Sequence, residues 1–404
     1  MAVLLPSGQI AEPSEQARGW PFMRLAFRPL FWLGALFAML SIPLWALTYT
    51  GNLTFTPFGS SHFWHIHEML FGFAVAIITG FLLTAVQNWS GVPSVKGKPL
   101  FALVLIWLSA RLLMAFPHLA PNWVIMTLDL AYLPLAAFFL AIPIIKAALW
   151  RNLFFIPILL AMSGLNALMY TALYGHLAIN FLDISHVMVM MITLVMVIMG
   201  GRVFPMFTAN GTHTQRIANI PWLDKASIIS VLLCVALTLI GDRVAQQFTG
   251  SLFLIAGVLN FIRALRWRIW VTFGTALVWP LHASYWALCC GLVLMGAYHF
   301  GWLTSISTPI HAITVGGMGL MILAMISRVS LGHTGRMIKA SKPMSFAFLL
   351  MVVTLLVRLL ASLTGTHYSS LILLSAALWA ISYALFVIGY GKIVFSARID
   401  GRDG

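Results

Sequence analysis

The sequence predicts an all-α membrane protein in which twelve helices cross a lipid bilayer. Of its 404 residues, 61% are hydrophobic and 8% are charged, whereas roughly 25% of the residues in a soluble globular domain are charged. Apolar runs of about 20 residues are long enough to span the hydrocarbon core as helices. The twelve runs cover residues 29–50, 63–87, 99–116, 122–145, 153–174, 182–207, 224–241, 249–266, 272–298, 305–327, 344–364 and 368–394.

The positions of Lys and Arg predict the orientation of these helices. If the N-terminus lies in the cytoplasm, 20 of the 23 basic residues fall at inner helix ends or in inner loops, as the positive-inside rule requires. The formal net charge of +14 therefore reflects membrane topology and predicts no nucleic-acid partner. We expect residues 1–24 and 399–404 to be cytoplasmic tails, and residues 25–398 to form one transmembrane domain within the lipid bilayer.

A pattern of His and Gly recurs in the second, sixth and tenth predicted helices. Each of these helices carries a His near its beginning and a Gly near its end, which suggests three four-helix units in parallel topology. Chance recurrence of His and small residues is the alternative. The separations are 24 residues for His67–Gly91 and His311–Gly335, and 25 residues for His186–Gly211.

Two arginines interrupt apolar runs in the third helices of the first and third units. Arg111 and Arg358 lie in the outer third of their predicted helices, and a buried guanidinium needs an anionic partner. Haem propionates are the predicted partner, because they accept bidentate hydrogen bonds. The alternative is that both side chains snorkel to the outer surface. The carboxylates in the predicted outer half of the membrane are Glu68, Asp129 and Asp183.

Several histidines are expected at a similar depth on four different helices. Neutral imidazole is a good ligand for haem iron and for copper. A single His at a membrane helix end is more often an interfacial or hydrogen-bonded residue, but four helices with His at one depth favour metal binding. The candidate metal ligands are His65, His67, His186, His282 and His311.

The stretch FWHIHEMLFGF at residues 63–73 places two histidines and a glutamate at the start of the second helix. Two residues along an α-helix turn a side chain by about 200°, so His65 and His67 should face opposite sides and serve different sites. Glu68 should share the face of His65, as a ligand, an orienting group or a proton donor. His67 is then a candidate haem ligand. The alternative is that one His is a ligand and the other only forms hydrogen bonds.

Four stretches resemble the NnrS family: FRPLFWLGALFAML, WHIHEMLFGFAVAIITGFLLTAVQNWSG, GGRVFPMFTANG and HAITVGGMGLMILAMISRVSLGHTGR. The resemblance extends over about residues 25–395. It implies a bacterial inner-membrane protein with twelve helices that carries haem and copper. It also implies a role in nitric oxide metabolism, in denitrification and in resistance to nitrosative stress.

The expected architecture resembles, more distantly, the core of haem-copper oxidases and nitric oxide reductases. That core consists of three arcs of four helices, with metal ligands on helices two, six, seven and ten. Here the seventh predicted helix contains no His. His282 and the nearby Tyr285 on the ninth helix are the expected substitutes, and Glu68 and Tyr285 are the candidate catalytic residues.

These features predict a protein that binds nitric oxide at haem b and reduces or detoxifies the nitric oxide as an oxidoreductase. Copper is the candidate for a second metal. The sequence contains no Cys-x-x-Cys-His motif, so the haem should be bound without covalent attachment. Catalysis would require an external electron donor. The alternatives are a non-catalytic protein that binds nitric oxide or a metal nitrosyl, and a twelve-helix secondary transporter. The candidate cofactor-binding residues are His65, His67, His186, His311, Arg111 and Arg358.

Overall fold

A computed structural model describes residues 20–176, 178–364 and 367–401. This part of the chain is all-helical and contains twelve helices that are long and apolar enough to cross a membrane, which confirms the predicted fold class. Large apolar side chains such as Leu40 and Ile388 are exposed along these helices, as in a multi-pass membrane protein. The helices are α1 (Phe27–Tyr49), α2 (Ser61–Ser90), α3 (Gly97–Ala115), α4 (Asn122–Lys146), α5 (Trp150–Leu173), α6 (Phe181–Thr212), α7 (Pro221–Arg243), α8 (Gln246–Arg266), α9 (Trp279–His299), α10 (Ser307–His333), α11 (Lys342–Thr364) and α12 (Tyr368–Phe395).

The two ends of the described chain lie at the same end of the helix bundle. Arg28 Nη1 in α1 donates hydrogen bonds of 2.7 Å to the carbonyl oxygens of Val394 and Ser396, where α12 ends. Most of the two predicted tails, residues 1–19 and 402–404, lies outside the described residues. The cytoplasmic position of both ends stays a prediction.

Three helices form the centre of the bundle. In their most apolar 18-residue stretches, α2, α6 and α10 are 83%, 72% and 67% buried, whereas the other nine helices are 33–56% buried. Each of the three is the second member of a consecutive group of four helices. The burial therefore follows the three-unit arrangement that the His and Gly pattern predicts.

α2 and α10 share a change of helix type at the same point. Each becomes a π-helix directly after the His that aligns the two helices: Glu68–Ala74 follows His67, and Ala312–Gly319 follows His311. α6 is α-helical throughout its length. Because π-helical stretches are rare and frequently occur at functional sites, a functional site is expected beside α2 and α10.

Candidate functional site

An apolar cavity of about 400 Å³ lies at the end of the bundle where α2, α6 and α10 begin. Pockets that hold small molecules and cofactors have volumes of about 300–1,000 Å³. Aliphatic and aromatic side chains form most of the wall. The titratable groups at the wall are Tyr49, His62, His65, His186, His311, Arg358 and Tyr368.

His65 is the member of the H-x-H pair that reaches this cavity. Its ring stacks on Trp45 of α1, with 3.9 Å between the ring centroids and 17° between the ring planes. The Nδ1 atom of His65 is buried and has no hydrogen-bond partner in the described part of the chain. Since an unpaired buried polar atom is unfavourable, hydrogen bonding within the protein does not explain why this position holds a histidine.

His311 presents an unprotonated ring nitrogen to the polar side of the cavity. Its Nδ1–H donates to the carbonyl oxygen of Ser307 at 2.7 Å. The neutral ring then carries its lone pair on Nε2, which accepts from Arg358 Nη2 at 3.2 Å. The contacts of His311 thus fix the tautomer with the lone pair on Nε2, and Arg358 engages that lone pair in this structure.

Arg358 places a positive charge at the cavity without a carboxylate beside it. The residue is 6% exposed, and its guanidinium donates to Ser362 Oγ at 2.6 Å and to Ser307 Oγ at 3.0 Å. It forms no ion pair with any of the described Asp or Glu residues. A buried cation with neutral partners favours an anionic group in the cavity. Arg358 lines the cavity, so snorkelling alone does not describe its position.

The cavity therefore brings together four of the predicted cofactor-binding residues: His65, His186, His311 and Arg358. Within residues 20–176, 178–364 and 367–401, no group of three or more His, Cys, Asp or Glu side chains is placed to hold one metal ion. The histidines thus surround a volume, and they do not converge on a single point.

A buried ionic cluster of His67, Glu68, Arg111 and Asp129 lies outside the cavity wall, on another side of α2. Glu68 Oε1 accepts a 2.5 Å hydrogen bond from Arg111 Nη1 and lies 3.0 Å from His67 Nδ1. Asp129 Oδ1 accepts from Arg111 Nη2, and Asp129 Oδ2 lies 3.2 Å from His67 Nε2. The four residues are 0–4% exposed, so the ionic cluster is shielded from water.

Two residues of α5 complete the surroundings of Asp129. Asn166 Nδ2 and the Tyr170 hydroxyl donate to Asp129 Oδ2 at 2.7 Å and 2.8 Å. Asn166 Oδ1 lies 2.8 Å from His67 Nε2. The sequence drew attention to Asp129 as a rare carboxylate in an apolar run. It gave no signal for Asn166 and Tyr170, because a single amide or phenol in a membrane helix is unremarkable.

The ionic cluster corrects the predicted position of Glu68. Glu68 does not share a site with His65, because its carboxylate contacts His67 and Arg111. The helix becomes π-helical at Glu68, and the buried guanidinium attracts the carboxylate away from the cavity. His65 and His67 do face different sites, as the 200° rotation predicts. Their assignment to two different metal centres stays a prediction.

The geometry also bears on the haem roles predicted for His67 and Arg111. Both ring nitrogens of His67 and both terminal nitrogens of Arg111 contact side chains of the protein. Neither residue lines the cavity. Both roles stay predictions, and the structure offers Arg111 protein carboxylates in place of propionates.

His282 lies far from the cavity, so it does not join the other candidate metal ligands there, and its role as a metal ligand stays a prediction. α9 begins later than hydropathy predicts, with Pro280 in its first turn. His282 Nε2 therefore meets Thr208 Oγ1, at 2.7 Å. Thr208 is 22 residues along α6 from His186, which corresponds to about 33 Å at 1.5 Å per residue.

Tyr285 belongs to another polar network, which we call the Arg263 network. Its hydroxyl donates to Asn260 Oδ1 at 2.6 Å and accepts from Arg263 Nη1 at 3.3 Å. Arg263 Nε donates to Asp224 Oδ1 at 2.7 Å. Tyr285 does not line the cavity, so the structure does not place this candidate catalytic residue at the same site as the cavity histidines.

Comparison with known proteins identifies the family. A search of curated proteins finds no match. A family model described as NnrS protein matches residues 21–398, nearly the whole chain, and this match links the protein to functions related to nitric oxide. The chain belongs to the NnrS family.

Proposed function

We propose that the cavity binds a b-type haem and that the protein binds nitric oxide there and reduces or detoxifies it within the membrane. The cavity carries the proposal: it is apolar, has about 400 Å³ of space, and receives imidazoles from α2, α6 and α10. It also contains a buried guanidinium that no described carboxylate neutralises. Family membership supports the connection with nitric oxide.

The residues at the wall fit a haem. Imidazole is a common ligand of haem iron, and one imidazole from this wall would leave the iron a position for nitric oxide. His65 is the favoured ligand, because its Nδ1 has no hydrogen-bond partner in the described chain. His311 is the second candidate, because its Nε2 would first have to release Arg358. Trp45 fixes the ring plane of His65. The carbonyl of Ser307 keeps the lone pair of His311 on Nε2. Arg358 would hold the haem propionates, because a guanidinium binds carboxylates with two parallel hydrogen bonds.

A copper centre has less support from the geometry. Protein copper sites combine several His, Cys or Met ligands around one ion. Among the described residues, no three His, Cys, Asp or Glu side chains meet in this way. Copper, which the family resemblance implies, therefore has no assigned ligands in the proposal.

The apolar wall suits a small neutral substrate. Nitric oxide dissolves in the hydrocarbon of the bilayer, so it can enter a cavity between membrane helices without a polar channel. When bound, the haem iron supplies the binding point for nitric oxide and a route for electrons. Arg358 would neutralise the anionic edge of the cofactor, and an external electron donor would supply the reducing equivalents that catalysis requires.

A secondary transporter is the second candidate, because Arg358 would also hold a small anion in a cavity without carboxylates. The absorption spectrum of the purified protein separates the two functions. We expect a Soret band and a b-type pyridine haemochrome in protein purified in mild detergent from haem-replete cells. His65→Ala should lose this spectrum, whereas His118→Ala, in an exposed turn between α3 and α4, should retain it.

A colourless, folded wild-type preparation would contradict the haem proposal and favour transport. If the haem is present, nitrous oxide production from nitric oxide under a chemical reductant separates a reductase from a binding protein. Binding without nitrous oxide would limit the function to sequestration of nitric oxide.

A further inference from the structure

We propose that Arg328, near the end of α10 that lies opposite the cavity, is the core of a second binding site, which takes an oxyanion of the phosphate class. Anionic phospholipid headgroups and free phosphate both carry such a group. Arg328 is 17 residues along α10 from His311, which corresponds to roughly 25 Å at 1.5 Å per residue. The site is therefore separate from the cavity, and the proposal does not depend on what the cavity binds.

The first argument is that the guanidinium of Arg328 is buried and lacks hydrogen-bond acceptors. The residue is 5% exposed. Its Nε and Nη1 atoms are buried and have no hydrogen-bond partner within residues 20–176, 178–364 and 367–401. Buried donors without acceptors are unfavourable, and charged donors are the most unfavourable. An acceptor that binds from outside the described chain would remove this cost.

The other buried arginines of the described chain all donate to acceptors of the protein. Arg28 donates to two carbonyl oxygens, and Arg358 donates to two hydroxyl groups. Arg111 donates to two carboxylates, and Arg263 donates to one. The helix packing thus provides partners for four buried guanidinium groups and leaves Nε and Nη1 of Arg328 free for a ligand.

The second argument is the uncompensated charge of Arg328. It forms no ion pair with any of the described Asp or Glu residues. Its carbon Cζ lies 4.3 Å from the ring centroid of Phe207 in α6, and an aromatic ring attracts a cation. The ring carries no negative charge, however, so the site keeps a net charge of +1. A buried positive charge favours a bound anion.

The end of α6 and the segment before α9 hold one side of the site in place. A Cβ added to Gly211 would lie 3.9 Å from Arg328 Nη1 and 2.7 Å from Val278 Cγ2. The Thr275 hydroxyl donates to the carbonyl oxygen of Gly211 at 3.3 Å, which ties this segment to α6. Because the guanidinium lies between packed elements, an anion would bind it with little further loss of conformational entropy.

The chemistry of the guanidinium favours an oxyanion over a spherical ion such as chloride. Its planar arrangement of N–H groups matches the oxygen atoms of a phosphate, which it binds with two parallel hydrogen bonds. The positive-inside pattern predicts that this end of α10 is cytoplasmic. Basic pockets between membrane helices on that side bind phospholipid headgroups.

Thermal unfolding in maltoside micelles, which contain no phosphate, tests the proposal. In one series, inorganic phosphate is added to the delipidated protein at constant ionic strength, with chloride as the balancing anion. In the other series, dioleoyl phosphatidylglycerol is added, with dioleoylglycerol as the lipid that lacks the phosphate. A saturable rise of the unfolding midpoint in the first series assigns a free anion, and a rise in the second assigns a lipid headgroup. No rise in either series overturns the proposal.

Two variants show whether the effect comes from Arg328. Arg328→Gln should weaken the apparent affinity at least about tenfold, because hydrogen bonds to charged groups contribute this much. Lys392→Gln, which removes an exposed charge in the last turn of α12, is the matched control and should respond like wild type. Equal responses of all three proteins would reveal an adventitious ion only and would overturn the proposal.

A measurement on wild type decides if Arg328→Gln does not fold. In protein labelled with [15N]arginine, solid-state NMR detects dipolar coupling between phosphorus and a guanidinium nitrogen. A coupling that saturates together with the unfolding midpoint supports the site. The absence of any such coupling at saturating phosphate and phosphatidylglycerol contradicts it.

Discussion

Arg111 and Arg358 occupy matching places in the first and third four-helix units but meet different partners. Each lies on the third helix of its unit and contacts the central helix of that unit, beside a π-helical stretch. Arg111 lies between the carboxylates of Glu68 and Asp129. Arg358 contacts hydroxyl groups and His311 at the edge of an open cavity.

The difference begins with one residue of the shared helix pattern. Glu68 follows His67 in α2, whereas Ala312 follows His311 in α10. In the first unit, protein carboxylates neutralise the guanidinium and fill the site with side chains. In the third unit no described carboxylate neutralises the guanidinium of Arg358, and the space beside it remains open. One backbone arrangement therefore supports a closed ionic cluster in one unit and a ligand cavity in another.

Haem content should distinguish the two sides of α2 most strongly. His65→Ala should lose most of its haem, because His65 reaches the cavity. His67→Ala should retain haem, because His67 belongs to the ionic cluster. Pyridine haemochrome assays on both purified variants check this. Loss of haem from His67→Ala alone would reverse the assignment of cavity and cluster.

Removal of each arginine should affect stability unequally. Arg111→Ala leaves two carboxylates buried without their cation and should destabilise the protein by about 3–5 kcal/mol. Arg358→Ala leaves only hydroxyl and imidazole partners and should destabilise it less, while it weakens haem retention. Unfolding in detergent, compared between haem-free preparations of both variants, measures the difference. Equal decreases in the free energy of unfolding would contradict the expected difference between the two arginines.

A smaller effect is expected from Gly72, which gives Arg111 its space. A Cβ at position 72 would lie 2.8 Å from Arg111 Nη1 and 3.1 Å from Phe37, so Gly72→Ala should cost about 1–3 kcal/mol through overpacking. Gly389→Ala in α12 is the control, because no heavy atom lies within 4 Å of its added Cβ. Thermal unfolding should show a lower midpoint for Gly72→Ala only.

The smallest effect should follow Ser362→Ala in the third unit. It removes the 2.6 Å hydrogen bond from Arg358 Nη1, and a single hydrogen bond contributes about 0.5–1.5 kcal/mol. Haem should be retained, with a modest decrease in its affinity measured by competition with a haem-binding protein. Complete loss of haem from Ser362→Ala would contradict this prediction, because it would show that the hydrogen bond to Ser362 is essential for haem binding.

Features that depend on local properties of the chain could be predicted before the structure. The length and hydropathy of the apolar runs predicted twelve membrane helices, which the structure confirms. The two-residue spacing of His65 and His67 predicted that they face different sites, because the rotation per residue of a helix is fixed. The His and Gly pattern of α2, α6 and α10 also marked the three most buried helices of the bundle.

The contacts between polar groups depend on how the helices pack in three dimensions. Arg111 and Asp129 lie on different helices, and their contact depends on how α3 and α4 rotate and pack around α2. The depth of His282 depends on where α9 begins, with Pro280 in its first turn. Hydropathy reports neither the rotation of α3 and α4 nor the start of α9. A shift or rotation of a helix that is apolar on all sides leaves its average hydropathy almost unchanged. The partners of each buried charge, and with them the division between ionic cluster and cavity, therefore emerge only when the helices are packed together.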